Sequence, residues 1–286
     1  MTLQDFLSSD AATAPHLLLA GNPVSHSLSP LMHNAAAAHF GMDLRYHAVR
    51  VEREEFGRLL SHFRRDSFHG ANVTLPHKES MAEAVDRLEE DALRIGALNT
   101  VVREGVRLVG RNTDVYGFLQ PLQPLRDQLE GGLAVIFGTG GASRAVCHGL
   151  HRLGMERIVA VSRSPARRNP PADLPGLQLA GYDSWQAHAE KACLVVNTTP
   201  LGMHPETGKS PVRDTEAFLL KGKVVYDIVY RPRTTYLLRQ AEEAGAQTID
   251  GLEMFIQQGS RSFEWWTGRP FPIPLIREKL YEALRT

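Results

Sequence analysis

Short apolar runs, each stopping at glycine or a polar residue, recur along the chain with amphipathic stretches between them. Residues 16–20 read as a buried strand, residues 43–49 alternate as a second and residues 70–74 as a third, while residues 30–40 and 54–67 carry helical spacing. Ser29 and Pro30 signal a helix start, a hydroxyl N-cap followed by proline at the first helical position, and Gly41 closes that helix. Residues 98–103 and 106–110 flank Glu104-Gly105, which predicts a hairpin with a two-residue turn, and Asn112-Thr113-Asp114 opens another helix. The first half is therefore expected to be α/β with a mostly parallel sheet.

The second half repeats the alternation. Residues 133–137, 157–161, 194–197 and 224–228 read as strands, and helical stretches between them include residues 142–153, ended by Gly154. This is the pattern of a Rossmann-like, doubly wound nucleotide domain. After Gly251 come a helix over residues 253–266 and a last one over 274–284, which return to complete the first domain. The opening 15 residues are read as a loose or short helical extension, and the Pro-rich residues 169–175 as an ordinary loop. Core packing is the expectation for Trp265 and Trp266.

Composition narrows the partners. A chain of 286 residues suits two α/β domains, and 32 basic against 32 acidic side chains leave no net charge to attract nucleic acid or an anionic membrane. The expected partner is a small molecule. No apolar run approaches the roughly 20 residues of a membrane span, and the N-terminal stretch lacks the basic flank and apolar centre of a secretory signal. Cys147 and Cys193 are far apart and form no CxxC, so both are read as buried, reduced thiols in a cytoplasmic protein, monomer or homodimer. His26, His77 and His204 have no companion at ligand spacing, and no metal is expected.

The strand at residues 133–137 runs into Gly138-Thr139-Gly140-Gly141-Ala142-Ser143-Arg144. Small residues between a strand and a helix let the backbone approach a pyrophosphate, whose charge the helix N-terminus attracts. Ser143 departs from GxGxxG. About 20 residues further on, where an acid would hold the ribose of NAD, the chain has Ser162, Arg163 and Arg167. Guanidinium forks and hydroxyls suit a 2′-phosphate, favouring NADP. In the first half, polar clusters close the strands: residues 25–29, 72–78, 97–100 and 112–114. Together they offer hydroxyls for a carboxylate, amides for ring hydroxyls, and one lysine and one aspartate to manage a proton.

These strings, with residues 21–30, 197–203, 227–230 and 250–254 and Gln258, resemble the shikimate dehydrogenase family in order and over nearly the whole chain. The resemblance implies reversible, NADP-dependent reduction of 3-dehydroshikimate to shikimate in aromatic amino-acid biosynthesis. It implies a discontinuous substrate domain, residues 1–114 and 252–286, around an NADP domain, residues 115–251, with the active site in the cleft. Carried over residue by residue, it makes Lys78 and Asp114 the catalytic pair and puts the substrate carboxylate at Ser27 and Ser29. Thr74, Asn99, Tyr230 and Gln258 then surround the ring. For the cofactor it implies Gly138, Thr139, Gly140, Gly141 and Ala142 at the pyrophosphate. Ser162, Arg163 and Arg167 take the 2′-phosphate, and Thr198, Ile228, Gly251 and Met254 the nicotinamide side, with Glu90 reaching across from the first domain. Thr139 and Ser162 replace the alanine and asparagine usual in the family. Two other readings stand beside this one: a dual quinate and shikimate dehydrogenase using NAD, and a non-catalytic NADP-binding sensor.

Overall fold

All six residues of the first strand, β1 (His16–Gly21), are buried, as a strand covered on both faces must be. The computed structural model describes residues 1–165 and 174–285; Arg167 and most of the 169–175 loop lie outside the described residues. The chain divides into two units, Met1–Thr113 with Gln258–Thr286, and Asp114–Gln257.

In the first unit β1 is joined by β2 (Arg45–Arg50), β3 (Phe68–Val73), β4 (Arg87–Leu88), β5 (Thr100–Glu104) and β6 (Arg107–Arg111) in the sheet order β2-β1-β3-β5-β6-β4. Only β5 runs against the others. The helices are α1 (Leu3–Leu7), α2 (Ser29–His39), α3 (Phe56–Phe63), α4 (Lys78–Ala84) and α5 (Glu90–Ile95). Successive β1 side chains go to opposite faces. Leu18 and Ala20 enter a core with Leu3 and Phe6 of α1 and Leu59 and Phe63 of α3, while Leu17 and Leu19 pack with Val24, Leu44, Tyr46 and part of Trp266.

Four local expectations are corrected here. The N-terminal stretch does form a short helix, as one of its two readings had it, but it is part of the core and no extension: Leu3 and Phe6 are fully buried, and Thr2 and Asp5 cap α1 reciprocally. Residues 54–67 do not form one helix; a 3-10 turn at Arg53–Glu55 leads into α3, which stops at Phe63. The hairpin turn sits one residue later than read, because Glu104 pairs with Arg107. Gly105, at φ 63°, thus occupies the first turn position, where a positive φ calls for glycine. Ser29 is the first residue of α2 rather than its cap; Leu28 is the cap and contributes no side-chain bond.

The second unit holds α6 (Asp114–Leu119), α7 (Arg126–Leu129), β7 (Leu133–Phe137), α8 (Gly141–Leu153), β8 (Arg157–Ser162), β9 (Leu177–Gly181), α9 (Trp185–Ala189), β10 (Leu194–Asn197), β11 (Val224–Asp227), α10 (Tyr236–Glu243) and β12 (Gln247–Ile249). Its sheet, in the order β9-β8-β7-β10-β11-β12, is parallel at every pairing. Alternate residues face opposite ways: Ala134, Ile136 and Val196 meet Phe118 and the α8 residues Val146 and Leu150, whereas Val135, Phe137 and Val195 meet Trp185 of α9 and Leu237 of α10. The fold is therefore doubly wound, and the order reverses between β7 and β10, where such sheets open a crevice beyond the strand ends. The chain leaves this unit within α11 (Leu252–Thr267) and ends with α12 (Ile273–Arg285). Among the described residues no helix is long and apolar enough to cross a membrane. Cys147 and Cys193 are free thiols, and burial pushes Cys147 up to about 12.

Several imidazoles are packed into the first unit. His16 Nε2 lies 2.9 Å from His62 Nε2, with Phe6 edge-on to both rings, and His33 stacks on Tyr46 at 4.5 Å. Burial is the main force lowering all of them: His33 to about 3 and His62, also repelled by His16 and Arg65, to about 4; His16 and His47 are lowered too. Asp227, in the second unit, is raised by burial to about 6. The unfolded chain takes up protons below about pH 6.5 that the folded imidazoles refuse. Their stabilisation is complete above that pH and lost as pH falls toward 4. Asp227 opposes this, its contribution being complete below the ordinary carboxylate pKa and lost as pH rises through about 6. Four imidazoles outweigh one carboxyl. Melting temperature at constant ionic strength is expected to fall steadily as pH drops from about 6.5 to 4; a flat or rising profile there would contradict the neutral-imidazole core.

Candidate active site

Beyond β1 the chain reaches α2 through Ser27, whose Oγ accepts from the Ser29 backbone N–H at 3.2 Å and donates to Ser29 Oγ at 3.1 Å. Because Ser27 serves that backbone group, the Ser29 hydroxyl is not consumed as a helix cap. It meets the Tyr46 hydroxyl instead. Tyr46 in turn donates to Asn72 Oδ1 at 2.8 Å, inside the first unit.

Asn72 is the centre of this cluster. Its amide donates to Ser262 Oγ at 3.1 Å, Thr100 Oγ1 at 3.2 Å and the Asn99 carbonyl at 3.3 Å. Thr100 and Ser262 are themselves 2.8 Å apart. The buried Asn99 donates to Thr113 Oγ1 at 2.9 Å and accepts from the Thr113 N–H at 2.8 Å, and Thr113 reaches Gln258 Oε1 at 3.5 Å. Ser27, Ser29, Asn99 and Gln258 are thus brought into one chain of hydrogen bonds that contains no carboxylate. Oriented hydroxyls and amides of this kind suit a polyhydroxylated acid. Asn72, Thr100 and Thr113 fall in the polar clusters read from the sequence but were given no individual role there, and Tyr46 and Ser262 were not singled out at all. Their signal is a polar side chain inside an otherwise apolar element, as Asn72 is in β3.

Thr74 follows β3 directly, half-buried, with its N–H donating to the Ala20 carbonyl at 2.9 Å. Lys78 is the first residue of α4 and is half-buried. The preceding His77 is buried and donates from Nε2 to the Val51 carbonyl at 2.8 Å, which fixes the start of α4 and hence the base of the Lys78 side chain. Glu90 is an exposed α5 residue, 2.7 Å from Arg94 one turn on. Asp114 begins α6 in the second unit.

The glycine loop of the second unit lies at the β7/β10 reversal. Gly138 has φ 110°, and a Cβ there would stand 2.5 Å from Thr198 Oγ1, so glycine is required on both counts. Thr198 donates from N and Oγ1 to the Phe137 carbonyl at 2.9 and 2.7 Å, holding the ends of β7 and β10 together. Ser143, the departure from GxGxxG, donates to the Gly138 carbonyl at 2.8 Å and closes the loop. Gly140 and Gly141 differ from Gly138. Neither has a positive φ, and a Cβ on either would meet nothing within 4 Å. Neither backbone conformation nor protein packing requires glycine there, at the N-terminus of a 13-residue helix without an acid in its first turn. The open space fits a group that must come close to the backbone, as a dinucleotide pyrophosphate does. Thr139 Oγ1 lies 3.4 Å from Ser162 Oγ, and Gly138 N–H donates to the Val161 carbonyl at 2.9 Å, so the loop and the Ser162-Arg163 strand end are neighbours. Arg163 is exposed; Arg167 lies outside the described residues.

Beyond Thr198 the site rests on a buried carboxyl. Asn197 and Asp227 are register partners at the ends of β10 and β11. Asp227 accepts from Asn197 Nδ2 at 3.0 Å, the Val229 N–H at 3.0 Å and Thr235 Oγ1 at 2.7 Å, tying together three chain segments. The loop after β11 carries Ile228 and Tyr230, the latter stacked on Phe255 at 4.4 Å. Gly251 abuts the Ile228 backbone so closely that a Cβ would collide with its carbonyl. Met254 packs in the core cluster with Phe118 and Tyr226, so most of its side chain serves packing.

The chain matches the model of the shikimate dehydrogenase substrate binding domain over residues 19–101 and that of the shikimate 5'-dehydrogenase C-terminal domain over residues 251–281. Shikimate dehydrogenase (NADP(+)) of Symbiobacterium thermophilum is 40% identical over 273 residues, which are 92% of each chain. The crystal structure of shikimate 5-dehydrogenase from Thermus thermophilus, in complex with NADP(H) and shikimate, superposes with a TM-score of 0.83 at 34% identity, over 94% of this chain and 100% of that one. Quinate dehydrogenase from Corynebacterium glutamicum, in complex with NAD, superposes with a TM-score of 0.85 at 27% identity, over 94% and 99%. Forty per cent identity over nearly the full length, with both family models matched, makes this chain a member of the shikimate dehydrogenase family.

Proposed function

We propose that this chain is an oxidoreductase catalysing the reversible, NADP(H)-dependent reduction of 3-dehydroshikimate to shikimate. The observation that carries the substrate half is the hydroxyl–amide cluster linking Ser27, Ser29, Asn99 and Gln258 in one hydrogen-bonded series. In this reading residues 1–114 and 252–286 bind substrate and residues 115–251 bind NADP. The free thiols of Cys147 and Cys193 suit a reducing cytoplasm.

Bound NADPH supplies the hydride. Ser27 and Ser29 hold the substrate carboxylate, and Thr74, Asn99, Tyr230 and Gln258 orient the ring and its hydroxyls. The ketone oxygen gains charge as its carbon is reduced, and the Lys78 ammonium stabilises that oxygen and donates the proton. Asp114 is assigned the role of keeping Lys78 charged and oriented. Gly138 through Ala142 take the pyrophosphate, with Ser162, Arg163 and Arg167 on the 2′-phosphate. Thr198, Ile228 and Gly251 shape the nicotinamide side, where Met254 offers its remaining exposed edge. Glu90, paired with Arg94, is assigned no more than a peripheral part.

A quinate- and NAD-using activity is the second reading, favoured by the likeness to the Corynebacterium quinate dehydrogenase. Serine and arginine at the end of β8, where an acid would hold the NAD ribose, argue for NADP. Purified protein offered shikimate or quinate, each with NADP or NAD, is expected to turn over shikimate with NADP. Quinate turnover with NAD would move the assignment to the second reading.

Two substitutions probe the roles. Lys78→Ala is expected to lower kcat by roughly 100- to 10,000-fold with the shikimate KM little changed; an unchanged kcat with a raised KM would remove the proton-transfer role. Gly140→Val should raise the KM for NADP by about tenfold or more while leaving the melting temperature of the free protein unchanged. A matching loss of stability would instead make Gly140 a structural residue.

A further inference from the structure

At the opposite end of β1 from Ser27 and Ser29, a cavity of about 420 Å³ lies between α1 and α3. Its polar wall is Gln4 and Ser8 on one side and Arg58, Ser61, His62 and Arg65 on the other. Arg58 donates to Gln4 Oε1 at 2.6 Å and Gln4 donates to Ser8 Oγ at 3.0 Å, so three of these side chains are already set in one network. No carboxylate lines the cavity, and neither Arg58 nor Arg65 has an acidic partner among the described residues. The nearby acids are committed elsewhere: Asp86 pairs with Arg64, and Asp66 with Arg103 at 2.5 Å. Both guanidiniums are exposed at the cavity mouth, where their planar forks are free to turn onto an oxyanion.

A buried imidazole in the wall supplies a second, independent observation. His16 Nδ1 donates to the Ala14 carbonyl at 2.8 Å, so in its neutral form His16 Nε2 can only accept. His62 Nε2 must therefore be the donor across the 2.9 Å contact, which leaves His62 Nδ1 as a bare acceptor. That nitrogen is buried and has no partner among the described residues. Buried polar atoms of this kind ordinarily find one.

We propose that this cavity binds a small oxyanion carrying at least two negative charges, a phosphate group or a dicarboxylate, with its charge on Arg58 and Arg65 and with a proton taken up at His62. The charged or titratable groups around His62 are Arg58 on α3, Arg65 just past its end, His16 on β1, which His69 also repels, and His47 on β2 across Phe6. All are cationic or neutral. A bound dianion reverses the sign of that environment, so protonation of His62, unfavourable in the empty cavity, accompanies binding.

The test is calorimetric titration of the full chain saturated with NADP, which keeps the probes off the proposed pyrophosphate and 2′-phosphate sites of the second unit. Sulfate, a dianion whose own charge is constant between about pH 6 and 8, serves as the probe of proton linkage; pyrophosphate and succinate at neutral pH distinguish the phosphate from the dicarboxylate source. Saturable binding is expected, about threefold or more tighter at the lower pH, and weakened about tenfold or more in the double variant Arg58→Gln, Arg65→Gln. Turnover of shikimate by that variant is expected to be unchanged, both residues lying outside the proposed catalytic machinery. Absence of saturable binding by all three anions, equal binding of sulfate at both pH values, or undiminished binding in the double variant would each overturn the proposal.

Discussion

A buried primary amide has two donors and an acceptor to satisfy, and leaving one unmet costs about 1–3 kcal/mol. Asn72 meets that demand with Tyr46, Thr100, Ser262 and the Asn99 backbone. Those partners come from two other strands, from the loop leading into β5 and from α11, so one side chain in the middle of a sheet dictates how four segments meet. The proposed substrate residues are the outer members of the same series. Ser29 is reached through Tyr46, and Gln258 through Asn99 and Thr113. Their positions follow from the satisfaction of Asn72 more than from any preference of their own.

The second unit solves the same problem with a carboxyl. Asp227 is wholly buried and raised to about 6, yet it accepts three hydrogen bonds that join β10, the loop after β11 and the start of α10. Burial and bonding pull its pKa in opposite directions, and burial prevails. The loop it secures is the one that Gly251 presses against and that carries Tyr230. In both units, then, a polar group inside the sheet holds the loops that bear the proposed ligand contacts.

Much of this was legible in the chain. Fully apolar strands such as β7 and β10 and the long helices α8, α11 and α12 announce themselves through period and caps. Short edge elements, among them β4, β9 and β12, were not read, since two to five half-exposed residues carry too little pattern to separate strand from loop. The Ser29-Pro30 pair looks like a cap and first turn, but Ser27, two residues earlier, takes over the capping of the backbone N–H. The α1 helix was recoverable in principle from Thr2 and Asp5, three apart. Asn72 and Thr100 fall in the polar clusters read at the strand ends, but Ser262 carries no such signal; only the fold, by bringing residues 162 and 190 positions apart into contact, joins them into a network.

That separation has a consequence for how the chain assembles. Residues 114–257 are continuous and contain their whole sheet, so every segment of this unit is made before residues 258–286 are. The first unit is not. Asn72 gains the last of its four partners only when Ser262 arrives, and the Trp266 indole reaches the Val101 carbonyl from the same helix, each closing a loop longer than the unit itself. Long loops close slowly, while the entropy cost grows only with the logarithm of their length. During synthesis the unit that holds most of the proposed substrate residues is therefore finished last, when α11 brings Ser262 to Asn72 and Trp266 to Val101.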